Sequence, residues 1–166
     1  VLETALSLDP EQVVVVTGYQ AEKVETTIRS TFGNSSMIQF ARQAEMKGTG
    51  HAAQMAAPLL EDFDGDIIVL CGDVPLVKSN TLRALMQKRG RRESAASLLV
   101  AKIDEPGSYG RVLVSHDDQV KKIVEANDAS PDVFAIKNVN AGTYCFDSKK
   151  LWPRLEQIGS DNAAGE

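Results

Sequence analysis

The chain has 166 residues, 43% of them hydrophobic, enough for one globular domain with a real core and too many for a disordered chain. A formal net charge of -5 disfavours a nucleic-acid surface, and no apolar run opens the chain as a signal peptide or approaches a membrane span. The two cysteines, Cys71 and Cys145, lack metal-ligand spacing and fit small core residues in a reducing compartment, which makes the cytoplasm the expected location.

Val1 to Leu8 has helical spacing without a cap and reads as the tail of a helix that starts upstream. Val13 to Thr17 is a β-branched run of the kind buried in parallel sheets. Ala21 to Phe32 follows as an amphipathic helix, with Val24, Ile28 and Phe32 on one stripe and Gly33 as its stop. Met37 to Ala41 is a short strand. Gly48-Thr49-Gly50 then forms a glycine-rich turn opening into a helix that runs to Leu60. Backbone N–H groups there could face an anion, although an ordinary strand-to-helix turn is the commoner explanation. His51 is expected to pack or cap locally. Gln43, just upstream, offers an amide that donates and accepts at once, as a pyrimidine edge requires.

Asp66 to Cys71 is a second apolar strand of parallel type, ending in Gly72-Asp73-Val74-Pro75-Leu76. Ligands of open α/β sheets sit beyond the carboxyl ends of strands. Asp73 at such an end can hold a hard cation or simply cap the turn into the next helix, and Gly72 lets a ligand approach the backbone. Asn80 to Lys88 reads as a helix, and the basic run Lys88-Arg89-Gly90-Arg91-Arg92 as its solvated end. Ala95 to Ile103 is another strand. Tyr109 to Val114 and Gln119 to Glu125 form a hairpin, Val139 to Phe146 a strand, and Lys149 to Ile158 a closing helix. The order implies a mixed α/β sheet with an inserted hairpin. Asn140-Ala141-Gly142 inside a strand marks close approach of a ligand or another backbone. Without a Gly-x-Ser-x-Gly elbow, nucleophilic hydrolysis has no support.

Together and in order, Gln43 to Ala52, Cys71 to Leu76, Gly107-Ser-Tyr-Gly-Arg111, Glu125 with Asp128-Ala129, and Asn140 to Asp147 resemble the uridyltransferase part of the bacterial N-acetylglucosamine-1-phosphate uridyltransferases. The resemblance runs along essentially the whole chain. Asn127 and Ala141 depart from it, standing where the family usually carries Lys and Thr. It implies a Rossmann-like nucleotide-diphospho-sugar transferase fold, with a mostly parallel mixed sheet, an inserted antiparallel hairpin and the family's first strand missing. It also implies uridyl transfer from UTP to N-acetylglucosamine 1-phosphate. Gln43 and Gly48 would contact the uracil and Thr49 would lie near the nucleotide-sugar. Asp73, as the catalytic metal ligand, would hold Mg²⁺ with Gly72 beside it. Gly110, Glu125 and Asn140 would hold the amino-sugar and ribose end.

The same resemblance implies that residues 1–166 form a partial domain. The family's glycine-rich phosphate loop would precede it, and a second metal ligand, an Asn, would follow it with a β-helical acetyltransferase domain. On that expectation the parent protein trimerises through the β-helix, and the piece alone is inactive and folds poorly. Rival readings are transfer of another nucleotidyl group, or a nucleotide-sugar binding module without turnover.

Overall fold

The computed structural model describes residues 1–60, 62–91 and 94–158. After a short helix α1 (Leu2–Leu6), β1 (Val13–Thr17) leads into α2 (Ala21–Phe32), and β2 (Ile38–Arg42) into α3 (Gly48–Leu60). Next come β3 (Asp66–Val69), α4 (Ser79–Arg91), β4 (Ala96–Lys102), the hairpin β5 (Arg111–Val114) and β6 (Val120–Val124), and a 3₁₀ turn at Ala126–Asp128. A one-turn helix α5 (Pro131–Phe134), the long strand β7 (Asn138–Asp147) and α6 (Ser148–Leu155) complete the described chain.

The strands form two sheets. β1 and β2 pair in parallel, Val13 opposite Ile38 and Thr17 opposite Arg42. The second sheet is built on β7, which is antiparallel to each of its neighbours. One edge of β7 carries β4, from Lys102 opposite Asn138 to Ala96 opposite Phe146. The other edge is shared, with β3 beside Tyr144 to Asp147 and β5 beside Val139. Gly110 O also accepts the Asn140 amide on this edge. Between β3 and β5 the edge is notched at Ala141–Thr143.

The mixed sheet and inserted hairpin are as expected, whereas among the described residues parallel pairing is confined to β1 with β2. The parallel-type strand expected over Asp66 to Cys71 ends at Val69, runs antiparallel to β7 and is only half buried. An unbroken apolar run reports burial, and the direction of pairing is set by a partner far along the chain. Among the described residues β1 pairs with β2 alone and β3 with β7 alone, so each keeps one unpaired edge.

Helix α3 packs against both strands of the first sheet and against α6, and so joins the two halves. Gln54 Nε2 donates to Leu155 O at 2.5 Å across that contact. The inward face of α2 is Ala21, Glu25, Ile28 and Phe32, while Val24 is exposed. Glu25 belongs to that face because its carboxylate accepts from the Thr17 hydroxyl at 3.1 Å. Leu82 and Leu85 of α4 are buried over the second sheet, where Ser97 Oγ donates to Leu85 O.

One basic residue overturns the expectation of a solvated helix end. Arg89 of α4 folds back onto the sheet and pairs with Asp66 of β3 and with Asp147 Oδ2 of β7 at 3.4 Å. Asp66 and Asp147 stand directly opposite each other in the ladder, and like charges there repel unless a cation lies between them. Arg92, from the same run, lies outside the described residues.

Candidate active site

Two groups of side chains take shape, one on each sheet. The first lies past the ends of β1 and β2. Gln43 follows β2, its amide N–H donating to Thr17 O at 2.8 Å, and its side chain is buried. Gln43 Nε2 lies 3.1 Å from Gly48 O and 3.0 Å from His51 Nδ1, so with Nε2 donating to both, the imidazole carries its proton on Nε2. Among the described residues no hydrogen bond reaches the side-chain carbonyl of Gln43, which could accept from a ligand. His51 therefore acts locally, as expected, by orienting Gln43. Gly48-Thr49-Gly50 is the first turn of α3 itself, with Gly48 at φ +86° and Thr49 exposed. Gly18, after β1, closes the group, because a Cβ there would stand 2.9 Å from Met46 Sδ.

The second group fills the notch in β7. Gly110 comes from the loop before β5, Glu125 from the end of β6, and Asn140 from β7. A Cβ on Gly110 would lie 3.0 Å from Glu125 Oε1, so a side chain there would push the carboxylate aside by a few tenths of an ångström. Asn140 is held at both ends of its amide: Nδ2 donates to Tyr144 Oη at 2.6 Å, and Oδ1 accepts from the Gly142 amide at 3.0 Å. Across the notch Cys71 Sγ donates to Gly142 O at 3.3 Å. Burial pushes the Tyr144 phenol up; its hydrogen bond with Asn140 opposes this, while the Cys71 and Glu125 charges add to it. The Cys71 thiol is pushed up by burial and then by the negative charge of Asp73.

Gly142 has φ +67°, and a Cβ there would meet Cys71 Sγ at 3.0 Å. The close approach expected of a strand glycine is thus with Cys71. Gly142→Ala should cost about 1–2 kcal/mol from the left-handed backbone alone. Urea unfolding measures the loss, and an unchanged midpoint would count against the strain.

Asp73 lies four residues past the end of β3, on an exposed turn in which the Val74 amide donates to Cys71 O. Among the described residues its carboxylate makes no hydrogen bond or ion pair, so it caps nothing. Gly72 beside it faces open space. No group of three or more metal-ligating side chains forms among the described residues. A magnesium ion still fits, since it commonly takes one or two protein carboxylates and completes its shell with phosphate and water oxygens. Ala141 and Thr143, pointing to the other face of β7, join Asp73–Lys78, Thr81 and Leu99 around an open cavity of about 520 Å³.

The structure gathers Gly110, Glu125 and Asn140 at one place, and Gln43 and Gly48 at another. Among the described residues no hydrogen bond or ion pair joins the two groups. Tyr144, which fixes Asn140, was not singled out from the sequence, although a period of two along β7 puts it on the face of Asn140.

The profile of the Nucleotidyl transferase family matches residues 1–164. The chain belongs to this family. It is 41% identical over its whole length to "Bifunctional protein GlmU" of Bacillus mycoides, and 39% identical over 99% of its length to the protein of that name from Geobacter metallireducens. It spans only about 35% of the length of these relatives. Among solved structures, UDP-glucose pyrophosphorylase complexed with UDP-glucose superposes with a TM-score of 0.69 at 16% identity, covering 96% of this chain and 66% of that one. HddC from Yersinia pseudotuberculosis superposes with a TM-score of 0.67 at 21% identity, covering 89% and 61%. At these identities the structures share the fold. The resemblance read from the motifs therefore holds, and with it a nucleotidyltransferase assignment. No helix among the described residues is long and apolar enough to cross a membrane.

Proposed function

We propose that the protein transfers the uridyl group of UTP to N-acetylglucosamine 1-phosphate, giving UDP-N-acetylglucosamine and pyrophosphate for cell-envelope synthesis in the cytoplasm. The observation that carries this reading is the notch in β7, where a carboxylate, a carboxamide and a glycine from three elements converge, with Cys71, two residues before the free Asp73, hydrogen-bonded across it. Such a set suits a polyhydroxylated ligand bearing an amide. The buried amide of Gln43, with its carbonyl free, suits the uracil N–H.

In this reaction a phosphate oxygen of the sugar phosphate attacks the α-phosphorus of UTP in line. The new P–O bond forms as the bond to the β-phosphate breaks, and pyrophosphate carries away the electron pair. The nucleophile is already ionised at neutral pH, so no general base is required. The chain's part is to orient two anions. Asp73 would hold Mg²⁺, which when bound offsets phosphate charge beside 166 residues of net charge -5. We extend the reading to a homotrimeric parent protein assembled through a separate domain.

The experiment is a substrate panel with the full gene product, crossing UTP, CTP, dTTP and GTP with N-acetylglucosamine 1-phosphate and glucose 1-phosphate. Selective use of the UTP and amino-sugar pair is expected. Preference for another nucleotide would transfer the reading to that nucleotidyl group. Glu125→Ala and Asn140→Ala should each raise KM for the sugar phosphate about tenfold, the loss of one hydrogen-bonding partner to the ligand, and leave KM for UTP near its starting value. A defect confined to UTP would reverse the assignment of the notch.

A further inference from the structure

Arg111 is fully buried at the start of β5, and among the described residues no carboxylate pairs with it. A guanidinium taken out of water needs compensation, and here backbone carbonyls supply it. Nε donates to Phe134 O at 3.2 Å and Nη1 to Gly107 O at 2.9 Å and to Tyr109 O. The guanidinium carbon lies 4.4 Å from the centre of the Phe134 ring. Among the described residues Nη2 is buried without a partner, so the fork is held in one orientation although it is not saturated.

These acceptors lie on the two segments that border the notch. Gly107 and Tyr109 belong to the loop that delivers Gly110, whose carbonyl accepts the Asn140 amide at 2.9 Å. Phe134 ends the stretch that runs from Glu125 through the 3₁₀ turn and α5. In the ladder Arg111 stands between Val124 and Val139, the neighbours in sequence of Glu125 and Asn140. Gly107 is itself at φ +51°, a loop conformation that its carbonyl's bond to Arg111 helps to fix.

We infer that Arg111 is a positioning residue for the sugar-phosphate half of the reaction: it locks the Gly107–Gly110 loop and α5 to one another and so sets the spacing of Gly110, Glu125 and Asn140. The inference rests on the proposed uridyl transfer for its substrate, and on the structure alone for the locking. A lysine in its place reaches one carbonyl cluster at a time, because it lacks the planar fork.

The test uses Arg111→Lys and Arg111→Met in the full gene product, with KM measured separately for UTP and for N-acetylglucosamine 1-phosphate. Arg111→Lys should raise the sugar-phosphate KM about tenfold and Arg111→Met further, with KM for UTP changed less than about twofold. Equal effects on both substrates, or none in a folded variant, would overturn the inference. If Arg111→Met is insoluble, the split in Arg111→Lys decides alone. If the wild type does not use this substrate pair, the functional reading fails and amide hydrogen exchange decides the locking. Exchange about tenfold faster at residues 107–110 and 131–136 of Arg111→Lys, with α2 unchanged, supports it, and unchanged exchange at those residues removes it.

Discussion

Asp73→Ala in the full gene product should lower kcat for uridyl transfer by about three orders of magnitude and leave the unfolding midpoint unchanged. The separation of the two effects follows from where the residue stands. Asp73 is exposed, follows β3 on a turn, and makes no hydrogen bond or ion pair among the described residues. Removing it therefore breaks no structural contact. These 166 residues carry a formal net charge of -5, which opposes the approach of two phosphate-bearing substrates, and a carboxylate beside them favours the transfer by recruiting a cation. Transition-state charge stabilisation of this kind contributes several kcal/mol, which sets the expected size of the loss. The measurement is turnover across a magnesium titration beside a urea melt. Near-wild-type turnover would remove Asp73 as the metal ligand. A large drop in stability would show instead that its role is structural.

What the sequence made legible was burial and local geometry. β1 and α2 begin and end where the β-branched run, Gly18 and Gly33 place them, because those signals act within a few residues. The direction of β3 was not legible. Its apolar run would look the same beside a parallel or an antiparallel neighbour, and the neighbour is β7, which begins at Asn138. α5 went unread although Ser130-Pro131 is an ordinary helix start, with Pro at the first helical position. A single turn between two strands offers too few residues for a period to show.

The site divides along the same line. Asn140 and Gly142 drew attention because asparagine and glycine are out of place in strands, and Gly110 through the family resemblance alone; the structure gives each a steric or hydrogen-bonding reason. His51 was read as a locally acting residue, and it orients Gln43. Tyr144 and Arg111 look like ordinary strand residues, and their roles come from partners that the fold supplies. For Arg111 a signal did exist: a cation at the start of a strand that the fold then buries must find acceptors, and carbonyls of the preceding loop are the nearest.

Arg89 tests how far a tertiary partner can overrule a local pattern. Three basic residues, Lys88, Arg89 and Arg91, close α4, a placement that the helix dipole favours and that usually leaves the side chains in water. Arg89 instead lies between Asp66 and Asp147, with only 17% of its side chain exposed against 19% and 27% for the carboxylates. Beneath them the Cys145 thiol is pushed up to about 11, chiefly by burial and then by Asp66, with Arg89 opposing. Arg89→Met keeps most of the stem's packing but leaves two carboxylates facing each other across a strand pair with nothing between them. Breaking a fully buried pair from one side costs roughly 3–5 kcal/mol, and the partial exposure here lowers the expectation to about 2–3 kcal/mol. Arg91→Met, on the same helix end but free of this pair, should cost less than about 0.5 kcal/mol. Adding Asp66→Asn to Arg89→Met should recover about half of the loss, because one of the two opposed charges is then gone. Urea unfolding of the wild type, Arg89→Met, Asp66→Asn and the double variant closes the cycle, with Arg91→Met as the control. Equal losses for Arg89→Met and Arg91→Met would return Arg89 to the solvated helix end that its sequence context suggested, and no recovery in the double variant would mean that repulsion between Asp66 and Asp147 is not what Arg89 offsets.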